Sequence, residues 1–346
     1  MDDNDPASSN RGSKKTGSRS LILAAAAYAV LLPVFGFIAR FFRLHQLEQY
    51  PLSTFIAFAL VIAPYWFFGF GAAEPLRRIL RGPFMQLGVS TLLVLPYLVI
   101  SIPGGTFYWR IALAFIAIGL LTTAALQRSA LSSIHAGGWW DLVVLATVGV
   151  SVDLGLWNSA SFWGAPGPAI WPGGLGGFPK LIMMDLILYG YLVVKPVDGI
   201  GYDLAPHWSD LSGGLREVLF YAPIVIPIGF LLGFLHFHRS MPQLFMLPAA
   251  WIFTFVFVAV PEELFFRGLV QNLLERRMGR HGALLVASIL FGLSHFNKRS
   301  TFNWRYVLLA TVAGFFYGRA WRERRRLVAS SITHATVDTI WSLWFR

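Results

Sequence analysis

The sequence predicts an all-α fold: a polytopic transmembrane helical bundle of about eleven spans. Three observations predict it. Of 346 residues, 56% are hydrophobic and only 13% are charged, where a soluble domain spends about a quarter of its residues on charge. Mean hydropathy is +0.60. Uncharged runs approaching twenty residues recur along the chain, the length a helix needs to cross a bilayer. A β-barrel would instead show alternating segments of about ten residues.

Taken in order, residues 1–19 ("MDDNDPASSNRGSKKTGSR") are polar and read as a disordered cytoplasmic tail. No small-residue cleavage site follows, so the first apolar run reads as a retained helix and not a signal peptide. The runs fall at 21–42, 52–72, 84–102, 107–126, 140–157, 178–195, 215–236, 243–270, 281–296, 304–320 and 327–345. The fifth is the least apolar because it carries Asp141 and Asp153. The loop "NSASFWGAPGPAIWPGGLGGFP" (158–179) is uncharged and Trp-rich, a composition favoured at the membrane interface. The loop "KPVDGIGYDLAPHWSDLSGG" (195–214) is polar and acidic, and marks a junction. It separates an N-terminal helical region, 20–200, of unassigned role from a C-terminal core, 215–346. "GFLLG" (229–233) and "GFFYG" (314–318) carry the small-xxx-small pattern of closely packed membrane helices.

The net charge of +11 sits in short loops between apolar runs. It therefore speaks for orientation in a bilayer, with no role in binding nucleic acid. With the N-terminus inside, Lys and Arg on that side outnumber those outside by two to one. The plasma membrane is the expected location, and "RAWRERRR" (319–326) would meet anionic headgroups at its cytoplasmic surface. No cysteine is present, which excludes disulfides, thiolate metal sites and cysteine nucleophiles. This topology sets Glu262 and Arg267 toward the inner end of their span and His295 toward the outer end of its own.

Ionisable groups at membrane depth cost about 2.5–3.5 kcal/mol each and normally face a partner inside the bundle. Three clusters in the last hundred residues answer to this. In "AVPEELFFRG", Glu263 and Arg267 are i,i+4 and can pair, while Glu262 lies about 100° around the helix. One carboxylate is thereby tied up and the other left to face a cavity. For Glu263 and Arg267 the favoured reading is an ion-pair latch that locks two helices, and for Glu262 it is function. In "LLVASILFGLSHFN", His295 is the one ionisable side chain, with Phe291 a turn earlier; alone it reads as a packing histidine. In "LVASSITHATVDTIWSLWF", His334 and Asp338 share a face, so that the aspartate can orient the imidazole or the pair can simply hold the last helix. Together the three clusters make a set able to hold and activate water. Asp153 and Asp185 are isolated in apolar runs, and His236 and His238 lie at a helix end.

"EELFFR", "FGLSH" and "HATVD" resemble, in order and spacing, the EExxxR, FxxxH and HxxxN/D motifs of the CPBP family, which contains the CAAX prenyl endopeptidases and the bacteriocin-processing and immunity proteins. The resemblance covers about residues 215–346. It implies an intramembrane glutamic endopeptidase without a required cofactor. Glu262 and His295 would activate the attacking water, Glu263, Arg267 and Phe291 would support them, and His334 with residue 338 would form the oxyanion site. Position 338 is Asp, and an ionised carboxylate would repel an oxyanion. Asp338 would have to be protonated, or to orient His334 as the donor. Zinc is the alternative cofactor, since Glu, His and Asp are good ligands for it, although HExxH is absent. The expected partners are the lipid bilayer and a peptide or membrane-protein substrate. Oligomeric state is not legible. Other readings of the same polar core are a non-catalytic scaffold or immunity protein and a proton-coupled transporter.

Overall fold

The computed structural model describes residues 20–34, 51–131, 137–165, 167, 170–171, 175–237, 247–298 and 303–345. The polar tail 1–19 and His238 lie outside them. The described chain is helical, with no strand among its residues. It divides into two compact units, 1–131 with 155–196 and 132–154 with 197–346.

The first unit holds α1 (Ser20–Val34), α2 (Pro51–Phe68), α3 (Ala73–Ile79), α4 (Pro83–Ser101) and α5 (Trp109–Ala130). The next helix, α6 (Trp139–Asp153), leaves this unit for the second, and α7 (Phe178–Tyr189) returns to the first. α2 and α3 are bent by 100°. The Trp-rich loop turns inward: Trp157 and Trp171 are buried, Trp157 stacks on Phe115 at 4.5 Å, and the Trp171 indole donates to the Trp157 carbonyl at 3.0 Å. A buried indole needs such an acceptor, so these two rings serve the interior of the unit.

The second unit contains α6, α8 (Trp208–Leu231), α9 (Leu247–Leu293), α10 (Trp304–Arg324) and α11 (Leu327–Trp344). α11 packs against α8, α10 and the first part of α9. The chain is apolar outside and polar at chosen points within. Leu121, Leu219 and Leu231 stand largely exposed, whereas Asp185, Glu217, Glu263 and Arg267 are buried. That distribution suits a lipid solvent and would be an aggregation hazard in water.

Among the described residues, four helices are long and apolar enough to cross a membrane, or five if the bent pair α2–α3 is one span. The eleven runs of the sequence are thus not all helices of spanning length: α6 has 15 residues, and α7 has 12 before a 5-residue π-helical turn, Gly190–Val194, ends it. In the other direction, the 47-residue α9 is not a single crossing. Phe266 and Phe291 have ring centroids 5.1 Å apart, where a straight helix would separate them by about 37 Å. The chain reverses at Gly279, whose φ of 74° and ψ of 173° are non-helical and favour glycine. Two antiparallel arms result.

The depth mismatch expected from sequence does not keep the site residues apart. The reversal at Gly279 lays the two arms side by side, and Phe291 near the end of the second packs on Phe266 of the first and on His295. Part of the basic run 319–326 also pairs inside the protein. Arg319 pairs with Glu217 at 3.3 Å, Arg325 with Glu275, and Arg326 with Asp210 at 2.8 Å and Asp203 at 2.7 Å. These arginines staple α10 and α11 to α8, α9 and the acidic loop.

The two glycine patterns part company. Gly229 and Gly233 serve the end of α8, where a Cβ on Gly229 would meet Leu235 of the same turn and Gly233 adopts φ 61°. Gly314 and Gly318 do face a second helix: added Cβ atoms would lie 3.2 Å from Ser288 and 2.4 Å from Leu284 on the second arm of α9. Gly292 answers from that arm, with a Cβ 1.9 Å from Thr311 Oγ1 and 2.7 Å from the Val307 carbonyl. Gly292→Ala is expected to cost about 1–3 kcal/mol by overpacking, read as a lower unfolding midpoint in detergent. An unchanged midpoint would show that α9 and α10 can separate freely.

Candidate active site

The first arm of α9 is locally irregular where the two glutamates sit. It is π-helical over Phe255–Ala259, α-helical over Val260–Glu263 and π-helical again over Leu264–Gln271. Pro261 is one cause. It has no N–H for the carbonyl four residues back, and its ring crowds that carbonyl, so the preceding turn widens. π-turns within α-helices concentrate at functional sites.

Arg267 and Glu263 pair as their spacing predicted, Nε to Oε2 at 3.1 Å, both fully buried. The guanidinium lies among rings, 5.0 Å from the Phe291 centroid and 5.9 Å from those of Phe266 and Tyr317. These faces replace part of the hydration an arginine loses on burial. The second oxygen of Glu263, Oε1, is 2.9 Å from Nδ1 of His334. Glu263 thus joins the first arm of α9 to α11.

His334 is held on every side. Tyr317 stacks on it at 4.6 Å and 17°, and Phe291 meets it edge-on at 5.6 Å. Its Nε2 lies 3.3 Å from Asp338 Oδ2 and 3.8 Å from Glu262 Oε2. A neutral imidazole carries one N–H and satisfies one carboxylate; only a ring with both protons donates to Glu263 and Asp338 together. The two Nε2 contacts are long, so this nitrogen is the more loosely engaged of the pair.

His295 sits past the end of α9, in a turn. Its Nδ1 is 2.8 Å from the Phe291 carbonyl, which can only accept, so Nδ1 carries the proton and Nε2 presents a lone pair. Phe291 also packs its ring on the imidazole at 4.8 Å, and Tyr306 flanks it at 4.9 Å. His295, His334 and Asp338 line one cavity of about 110 Å³, with otherwise apolar walls that include Tyr306, Ala310 and Trp341. Glu262 is not a wall of that cavity and adjoins it through His334. Its side chain is 22% exposed, against 0% for Glu263, so Glu262 is the more accessible of the two.

The structure thus brings Glu262, Glu263, Arg267, Phe291, His295, His334 and Asp338 into one cluster. Asp185 lies apart, buried in the first unit. His236 bonds back to the Gly233 carbonyl at a helix end. Sequence reasoning missed Tyr317, which stacks on His334 from inside "GFFYG"; a lone phenol between two close-packing glycines was the available signal. Zinc would need at least three ligands converging on one point, and among the described residues no three His, Asp or Glu side chains are so grouped. His334 already spends Nδ1 on Glu263.

The sequence model of the type II CAAX prenyl endopeptidase Rce1-like family matches residues 243–340. That stretch contains all seven residues of the cluster and is under a third of the chain. No curated protein and no solved structure matches. The matched family is one of proteases, so the match supports a hydrolase, and with the apolar helices it supports an integral membrane protein.

Proposed function

From a C-terminal region that matches a CAAX protease family, we propose that the chain is a glutamic-type intramembrane endopeptidase. The observation that carries this is the meeting of Glu262 on the first arm of α9, His295 in the turn after its second arm and His334 on α11, beside one cavity. Water held by Glu262 and the Nε2 lone pair of His295 attacks the peptide carbonyl carbon, and Glu262 takes its proton. The C–N bond breaks as that proton passes to the leaving amine. Nε2–H of His334, its ring fixed through Nδ1 by Glu263, donates to the oxygen that gains charge in exchange for its long contact with Asp338, which holds that N–H in the site until the charge develops.

The substrate is a peptide or membrane protein reached from the bilayer, and the chain works with its N-terminus on the cytoplasmic side of the plasma membrane. Apart from His295, His334 and Asp338 the cavity is lined mainly by apolar side chains, which suits an apolar residue beside the scissile bond. The reaction needs no metal. Purified protein in liposomes should cleave apolar peptides at an unchanged rate in the presence of a zinc chelator. Loss of cleavage restored by added zinc would overturn the metal-free mechanism, and no cleavage in any condition would favour a scaffold held together by the Glu263–Arg267–His334 cluster.

A further inference from the structure

α6 lies outside the family-matched stretch, yet it touches both halves of the proposed site. Its Gly149 faces the Phe265 ring so closely that a Cβ would come within 2.5 Å of it, two residues after Glu263. Its start is fixed by Arg277, which donates to the Gly137 carbonyl at 3.0 Å, and by buried Asp141, which accepts from the Gly138 N–H at 2.9 Å. Its last residue, Asp153, receives the turn that carries His295. The Asn297 amide donates to the Asp153 carbonyl at 2.9 Å, and Lys298 Nζ lies 3.5 Å from the Asp153 carboxylate.

That turn needs an external hold. Helix α9 ends at Leu293, and His295 is fixed by turn hydrogen bonds, His295 N–H to Gly292 at 3.0 Å and Lys298 N–H to His295 at 3.4 Å. A reactive group on a turn is held in register only by what packs behind it. We propose that α6 is an accessory brace of the active site and that Asn297, docked on Asp153, is a positioning residue for His295. This rests on the function proposed above. The Asn297 contact is the main one; the Lys298–Asp153 pair is partly exposed and contributes less.

The first test needs no substrate. In ¹⁵N-histidine spectra of the full-length protein in detergent, the His295 signal, identified by its loss in His295→Gln, should show a single tautomer with Nδ1 protonated. In Asn297→Ala it should become a mixture of tautomers while the unfolding midpoint holds. Lys298→Met, on the surface and safe for folding, should show a smaller change in the same sense. An unchanged tautomer in both variants overturns the proposal. With a cleavable peptide, kcat of Asn297→Ala should fall about 10–100-fold with KM within about twofold, the pattern of a misplaced catalytic group. A parent protein without peptidase activity would sink the proposed function, while the spectra would still decide this one.

Discussion

Glu262→Gln is expected to lower peptide cleavage by about 10²–10⁴-fold, the usual contribution of a positioned general base, with little change in stability. The substitution is nearly isosteric. It removes a carboxylate that is partly exposed and whose contact with His334 is long, at 3.8 Å. Glu263→Gln should behave differently. Glu263 is fully buried and hydrogen-bonded to both Arg267 and His334, so the protein should lose stability along with activity. Initial rates on peptides in liposomes, paired with unfolding midpoints, separate the two cases. If Glu262→Gln kept its rate and Glu263→Gln lost only its rate, the roles of the two acids would be reversed.

Arg267→Met should produce the largest loss of stability in the chain, about 3–5 kcal/mol, the cost of stranding a buried partner. Glu263 would keep His334 but lose the 3.1 Å contact of its other oxygen. The cage of Phe266, Phe291 and Tyr317 would lose its cation as well. Arg267→Lys should not restore the protein fully, because an ammonium lacks the planar group that bonds sideways to Glu263 while lying among rings. Denaturant unfolding in mixed micelles measures this. A midpoint that survives Arg267→Met would mean that the pair is incidental to the fold.

Both predictions depend on a division of labour between adjacent glutamates that was partly legible in the sequence. The i,i+4 rule assigned Arg267 to Glu263 and left Glu262 on another face, and the side chains are arranged that way. The rule did not reveal that Glu263 also serves His334, seventy-one residues away. The i,i+4 pair His334–Asp338 was equally visible. The cavity beside Glu262 was not legible either, because its wall is assembled from α8, the end of α9, α10 and α11, and Glu262 adjoins it through His334.

By itself, then, the sequence determined the helical membrane class, the three polar clusters and the glycine face of α10. Each of these is a local matter of composition or of the 3.6-residue period, which repeats within a few turns whatever the rest of the chain does. Tertiary structure decided the rest. The pivot at Gly279 folds the two arms of α9 together, α6 joins the second unit and braces it, and arginines of the basic run fold back onto buried acids. Those features depend on where helices end and which faces meet, and hydrophobic periodicity specifies neither: an apolar run carries no mark of the residue at which it turns back, nor of the helix that will cover it.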